Sequence, residues 1–337
     1  MNKITVVIPN YNGIDYLGKC LKSLYRQEAG TPPFEVLIVD NASGDGSIER
    51  AKALVNSLEK QTEFHTSITT VRFLCLERNT GFCHAVNVGI ENSQAPYVIL
   101  LNNDTKVKPG YVKALYRTME KHPKAFSVSA KMLMWDRPDL LDDAGDLYNV
   151  LGWAYAPGKG KKADAYNRTR KVFAACGGAA IYRRSILEEI GLFDEQHFAY
   201  LEDVDIGYRA LIFGYENLYE PRAQVLHYGS ASTGSRYNPF KTRLASANNV
   251  YLIYKNMPLL QLLWNLPFLL MGFWVKWLFF CKKGMGKLYL AGLLDGLKRC
   301  FQLESRAHKV RFAPSRLGNY LKIQGQLYWN TVYFFFQ

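Results

Sequence analysis

Five carboxylates and one histidine in this sequence stand where a chain can do chemistry. Asp40 closes the apolar run 34–39, and Asp104 follows the unalternating run 97–101 through Asn102-Asn103. Glu202, Asp203 and Asp205 open a helical segment, and His227 ends a late β-rich run. A carboxylate at the carboxyl end of a buried strand lies where an open α/β sheet binds its ligand. There Asp104 could bind a divalent cation that bridges two phosphates, with His227 completing its shell or touching the diphosphate. Asp40 could bond a ribose or a base edge, and Arg78 and Asn79 are placed to reach a nucleotide. Asp203 could act as a general base on a hydroxyl nucleophile. These parts describe group transfer from a nucleotide diphosphate carrier with no covalent enzyme intermediate. Each has a plainer explanation when taken alone: Asn102-Asn103-Asp104 as a turn, the acidic trio as favourable charge at a helix start, and His227 as a core histidine.

The elements around these residues favour the first reading. Strands are expected at 3–9, 34–40, 68–76, 97–101 and 126–134. Helices fall between them, ending near Gln27, Leu58, Asn92 and His122. Asn12 is expected to cap the first helix with Asp15 three positions on. This rhythm predicts an α/β fold, a Rossmann-like, mostly parallel sheet flanked by helices whose strand ends converge on one crevice. Residues 135–170 have weak periodicity and read as a long loop or subdomain, the kind that often forms a lid. Within or beside it, Trp135, Trp153 and Tyr155 could stack on a sugar or simply pin the loop. Two short apolar runs in 172–183 flank Gly177-Gly178, where a ligand or backbone could approach closely. Short strands are expected at 217–220 and 224–228. No GxxxxGK[ST], HExxH or GxGxxG after the first strand is present.

The chain has 337 residues, 48% hydrophobic and 21% charged, which excludes a disordered protein and fits about two domains. A net charge of +13 calls for an anionic partner. The six cysteines are scattered and mostly lie in apolar runs, as small core residues of a reducing compartment do. The chain opens directly on a strand-like run with no signal-peptide pattern, so the Asn-x-Ser/Thr triplets at Asn41, Asn103 and Asn167 read as chance matches. After Asn256 the composition changes. Residues 257–281 carry one charge, Lys276, and residues 282–322 carry ten Lys or Arg against Asp295 and Glu304. An apolar, Trp-rich segment beside a basic one suits a membrane-surface anchor on anionic lipid, rather than nucleic-acid binding. A buried helical subdomain with a solvated basic face is the alternative.

Seven ordered motifs carry a resemblance to a known family. Ile8-Pro9-Asn10-Tyr11-Asn12 comes first, with Leu17, Cys20, Leu21 and Leu24, and then Val39-Asp40-Asn41-Ala42-Ser43 with Gly46-Ser47. Asn79-Thr80-Gly81-Phe82, Leu100-Leu101-Asn102-Asn103-Asp104 and Gly191-Leu192-Phe193-Asp194-Glu195 follow. Tyr200-Leu201-Glu202-Asp203-Val204-Asp205 and His227-Tyr228-Gly229 complete the series. Over residues 3–235 the chain resembles family 2 glycosyltransferases, and within them the rhamnosyltransferase-like branch of bacterial surface polysaccharide synthesis. The resemblance implies a GT-A fold at 1–235; residues 236–337 lie outside it and are expected, from their composition, to be a helical, membrane-associated region. The resemblance also implies a nucleoside diphosphate sugar donor and a Mg2+- or Mn2+-assisted inverting transfer. Pro9, Tyr11 and Asp40 fall on nucleoside-binding positions, and Arg78, Asn79, Gly81, Asn102 and Asn103 line the donor side. Asp104 is the last carboxylate of the family's DxD motif, whose first carboxylate is an amide here, Asn102. Asp203 falls on the catalytic base, and His227 on a metal- or diphosphate-contacting histidine. Gly178, Glu202 and Asp205 are acceptor-side or base-flanking positions, Glu202 and Asp205 flanking the base where they could orient the acceptor. The implied acceptor is a glycan or a polyprenyl-diphosphate glycolipid at the inner face of a cytoplasmic membrane. A sugar nucleotidyltransferase, or a non-enzymatic protein that binds anionic surfaces, is the competing expectation.

Overall fold

The computed structural model describes residues 2–60, 67–229 and 237–337. The expected boundary between 235 and 236 falls outside the described residues. Four strands, β1 (Ile4–Asn10), β2 (Phe34–Asp40), β3 (Ile68–Cys75) and β4 (Tyr97–Leu101), alternate with α1 (Leu17–Leu24), α2 (Ser47–Glu59) and α3 (Phe82–Glu91). β1, β2 and β4 are buried on both faces, which is why each reads as an apolar run without alternation. α1 buries Leu17, Cys20, Leu21 and Leu24, one stripe at helical spacing.

The chain continues through β5 (Thr105–Val107), α4 (Tyr111–Lys121), β6 (Ala125–Met134), β7 (Leu141–Asp143), β8 (Leu147–Tyr148), β9 (Ala154–Tyr155) and β10 (Arg170–Val172). Next come β11 (Ala179–Arg183), α5 (Arg184–Ile190), α6 (Glu202–Ile212) and β12 (Glu216–His227). Five helices close the chain: α7 (Pro239–Asn256), α8 (Leu259–Lys282), α9 (Gly286–Cys300), α10 (Leu303–Ala307) and α11 (Leu317–Phe336).

The main sheet runs β10-β12-β6-β11-β4-β1-β2-β3. β3, β2, β1 and β4 are mutually parallel, and so are β6 and β12. β11 runs antiparallel between β4 and β6. Its first residue, Ala179, pairs with Leu101 at the carboxyl end of β4, which brings Gly177-Gly178 to the crevice. This is the expected mostly parallel, helix-flanked sheet.

Three local expectations change. Asn12 does not cap α1. It adopts φ 50° and its Oδ1 accepts from the Gly44 N–H, so Tyr16 takes the N-cap place. The two short strands expected at 217–220 and 224–228 are one strand, β12, whose ladder to β6 skips from Glu220 to Gln224. Pro221 has no N–H to offer that ladder, and residues 221–223 bulge out of it. Residues 135–170 form no lid. Leu141, Ala144, Leu147, Tyr148, Val150 and Leu151 are buried in one core with Leu252, Leu269, Tyr320, Ile323 and Leu327 of the C-terminal helices.

Among the described residues one helix, α8, is long and apolar enough to cross a membrane by length and composition, at mean hydropathy 1.4. Most of its apolar side chains face outward.

Candidate active site

The donor side is built on strand ends tied together by one buried amide. Asn10 Nδ2 donates to Asp40 Oδ1 at 2.8 Å and lies within bonding distance of the Ser43 and Ser47 hydroxyls, while its Oδ1 accepts from Asn103 Nδ2 at 2.7 Å. Asp40 also accepts from the Ser43 N–H and hydroxyl. Its carboxylate thus closes the turn after β2 as well as facing the crevice. Asn103 is turned inward to Asn10 rather than toward a ligand. Asn41 links this turn to the next loop: its Oδ1 accepts from the Thr80 N–H and its Nδ2 donates to Asn79 Oδ1. Gly81, at φ 90°, has Phe198 so close that an added Cβ would lie 2.5 Å from that ring. Arg78 and Asn79 line a groove of about 630 Å3 with Thr80, His84, Glu195 and Phe198. Tyr11 stands exposed beside the crevice.

Asp104 and His227 meet because β5 pairs antiparallel with β12, Thr105 opposite His227. Asp104 Oδ1 lies 3.5 Å from His227 Nε2, and Tyr228 N–H donates to the Asp104 carbonyl. On its other side His227 Nδ1 lies 2.6 Å from Asp142 Oδ2, and Asp142 is held by Lys159 at 2.6 Å. A carboxylate behind one ring nitrogen, with the other aimed at a second carboxylate, is how metal-binding histidines are oriented. The donor set therefore fits a divalent cation at Asp104 and His227. Burial opposes the imidazolium, but Asp104 and Asp142 outweigh it and lift the His227 pKa to about 9. Tyr16, Trp135 and Tyr228 cluster beside this place, with Tyr16 and Tyr228 ring centres 4.7 Å apart.

Gly177-Gly178 joins the donor side to the base side. The Asn102 N–H donates to the Gly178 carbonyl at 2.9 Å, and a Cβ on Gly178 would strike Asn102 Nδ2. The Gly177 N–H points to Asp203 Oδ2 at 3.5 Å. Asp203 Oδ1 accepts from the Val204 N–H in the first turn of α6. Asp203 has carboxylate neighbours that sequence reasoning missed. Asp146 is hydrogen-bonded to it, and Asp143, Asp146 and Cys176 converge within 4.8 Å. Burial raises the pKa of Asp203, partly offset by hydrogen bonds from Val204, Gly177 and Asp146. Burial followed by the Asp203 charge pushes Glu202 up as well, and one Glu202 oxygen has no partner among the described residues. Asp143 and Asp146 sit in a stretch without periodicity, so only their acidity in an apolar sequence could have flagged them.

One expectation is corrected here and one open alternative is decided. Asp205 does not face an acceptor. Its Oδ2 accepts from Arg209 and Lys255 and its Oδ1 from Asn256, all buried, so it fastens α6 to α7. Trp153 and Tyr155 pack on Phe334 of α11, and Trp153 Nε1 donates to the Gly272 carbonyl of α8, which pins the segment instead of lining the crevice.

The family model described as Glycosyl transferase family 2 matches residues 5–191. The N-acetylglucosaminyl-diphospho-decaprenol L-rhamnosyltransferase of Mycobacterium tuberculosis is 29% identical over 259 residues, covering 68% of this chain and 78% of that one. A mannosyltransferase from Pyrobaculum calidifontis, solved with GDP-Man and Mn2+, superposes with TM-score 0.53 at 14% identity, covering 96% of this chain and 84% of that one. GalNAc-T7, solved with UDP, GalNAc and Mn2+, gives TM-score 0.57 at 16% identity, and the match covers 76% of this chain and about half, 48%, of that one.

Proposed function

Since this chain belongs to glycosyl transferase family 2 and is a glycosyltransferase of GT-A fold, we propose that it is an inverting enzyme of surface polysaccharide synthesis. In this reading it moves a sugar, L-rhamnose from dTDP-rhamnose, to a hydroxyl of a polyprenyl-diphosphate-linked glycan. One juxtaposition carries the reading: Gly177-Gly178 bonds Asn102 on one side and Asp203 on the other. The segment leading to Asp104, through Asn102, and the buried carboxylate of Asp203 thus meet across two residues of backbone. The rhamnosyltransferase relative supports the choice of sugar and acceptor.

Asp40, Pro9, Tyr11, Arg78, Asn79 and Gly81 form the nucleoside side. Asp104 and His227 would hold Mg2+ or Mn2+, which neutralises charge gained by the departing diphosphate. Asn102 contributes a neutral oxygen where a DxD motif has a carboxylate, so Asp104 is the one charged oxygen ligand of that motif. Asp203 accepts the proton of the acceptor hydroxyl as its oxygen bonds to the sugar's anomeric carbon. The bond from that carbon to the diphosphate oxygen breaks on the opposite face, and the electron pair leaves with the nucleotide. A raised pKa makes Asp203 a stronger base than an exposed carboxylate.

Membrane attachment belongs to the same proposal. Leu260 is 82% exposed, Trp264 68% and Phe336 86%, on the stretches that flank the basic 282–322 segment in sequence. An exposed apolar face on a chain with a strongly basic segment suits the inner, anionic surface of a cytoplasmic membrane. Point substitution tests this better than truncation, because Leu269, Tyr320 and Leu327 belong to the buried core. Trp264→Glu with Leu270→Glu should abolish flotation with anionic vesicles; unchanged flotation removes the membrane reading.

The deciding experiment is a panel of nucleoside diphosphate sugars, read as nucleotide release with and without Mg2+ or Mn2+. Asp203→Asn should eliminate transfer with donor binding intact. Substantial residual transfer would remove Asp203 as the base.

A further inference from the structure

The backbone just before Asp203 is held in a form that side chains resist. Phe198, Tyr200 and Leu201 have φ of 60°, 70° and 67°. Phe198, with ψ −59°, is the centre of a γ-turn of the rare, strained kind, closed by the Ala199 N–H on the His197 carbonyl at 2.6 Å. None of these residues is glycine. Such a segment persists only where its surroundings over-determine it.

The holder comes from a distant part of the chain. Asn248, in the middle of α7 and fully buried, places its Nδ2 2.8 Å from the carbonyl oxygens of His197, Ala199 and Tyr200. Its two N–H bonds serve three acceptors, so one is shared. Asn248 Oδ1 accepts from Arg299 Nη1 at 2.7 Å, and the same nitrogen donates to the Gln196 carbonyl at 2.7 Å. Arg299 belongs to α9, which runs so close to α7 that a Cβ on Gly296 would lie 2.5 Å from the Ala247 carbonyl.

The held turn touches both halves of the crevice. The Phe198 carbonyl accepts from the Cys83 N–H at 3.1 Å and, with the ring, fills the space over Gly81. Two residues before Asp203, Leu201 is the left-handed N-cap of α6, and its carbonyl accepts from the Asp205 N–H. We infer that Asn248, braced by Arg299, is a positioning residue for the transfer: its amide fixes the turn that sets Asp203 opposite the donor loop. The inference rests on the reading of Asp203 as the base.

The test uses the full chain with dTDP-rhamnose, or with the panel donor that releases nucleotide fastest. Asn248→Asp keeps the side chain's size and its Arg299 partner but turns an oxygen toward three carbonyls. Asn248→Ala removes both. Both should lower kcat by roughly 10- to 100-fold, the scale of a small misplacement of reacting groups, with KM for the donor within about twofold. Leu201→Gly in the Asn248→Ala background should recover kcat several-fold, because glycine accepts positive φ without being held. A role confined to stability predicts a further loss, since that change also removes a packed side chain. Wild-type kcat in Asn248→Asp, or no recovery with Leu201→Gly, overturns the inference. Asp203→Asn is run alongside: its residual transfer decides the base assignment separately from either Asn248 result.

Discussion

Two groups of aspartates around a histidine lie in this molecule, and they do opposite things with similar parts. At the sheet's carboxyl edge, His227 stands between Asp104 and Asp142, partly open to the crevice. Beneath α7, His197 stands near Asp194 and Asp205 with its ring fully buried. The second group already holds a cation, Lys255, at 2.7 Å from Asp194 and 2.8 Å from Asp205. Its histidine is left neutral: burial pushes the His197 pKa down to about 4, and neither ring nitrogen has a partner among the described residues. The first group has Lys159 behind Asp142 and, among the described residues, no lysine at the Asp104–His227 contact, where the cation is proposed to bind. The built-in Lys255 makes the second group a strut; the first is the proposed metal site.

Four measurements break or sharpen this contrast. Asp104→Ala should cost the most, about a thousandfold in metal-stimulated nucleotide release, with little change in thermal stability; an intact rate would leave the first group a strut like the second. Lys255→Met should do the reverse. Breaking a buried pair from one side costs roughly 3–5 kcal/mol, read as the shift in a urea midpoint, while calorimetric donor affinity of the folded fraction stays put. Third comes acid. Below pH 6.5 the unfolded chain takes up a proton that buried His197 refuses until about pH 4. Its contribution is therefore complete above pH 6.5 and drains as pH falls to 4, on the order of 3 kcal/mol in all. Phenylalanine at 197 should flatten that window of the stability profile, and an unchanged slope would assign the acid sensitivity elsewhere. The smallest effect is that of Asp142→Asn, which loosens the hold on His227 and should weaken Mn2+ binding by about 10- to 100-fold.

The sequence showed only parts of these groups and of the base side. Asp104 and Asp203 were legible because a buried parallel strand writes a continuous apolar run and ends abruptly, and a helix start is marked by acidic residues. Asp205 shared the second mark and was misplaced, since its partner Lys255 lies fifty residues on and nothing local announces an ion pair. Asp142, Asp143 and Asp146 were missed because short paired segments such as β7 and β8 carry too few residues for a period to show. Asn12 was misjudged by a rule of local capping that lost to a bond with Gly44 across the crevice. The sheet core, by contrast, was clear, because burial on both faces leaves only one kind of residue usable.

The outward apolar face of α8 and α11 has a consequence for rate laws. On the proposed membrane reading, enzyme and lipid-linked acceptor would meet in two dimensions, and velocity would follow the acceptor's mole fraction in the bilayer rather than its bulk concentration. Diluting acceptor-bearing vesicles with buffer should then leave the rate per bound enzyme unchanged, whereas diluting the acceptor with inert lipid should lower it.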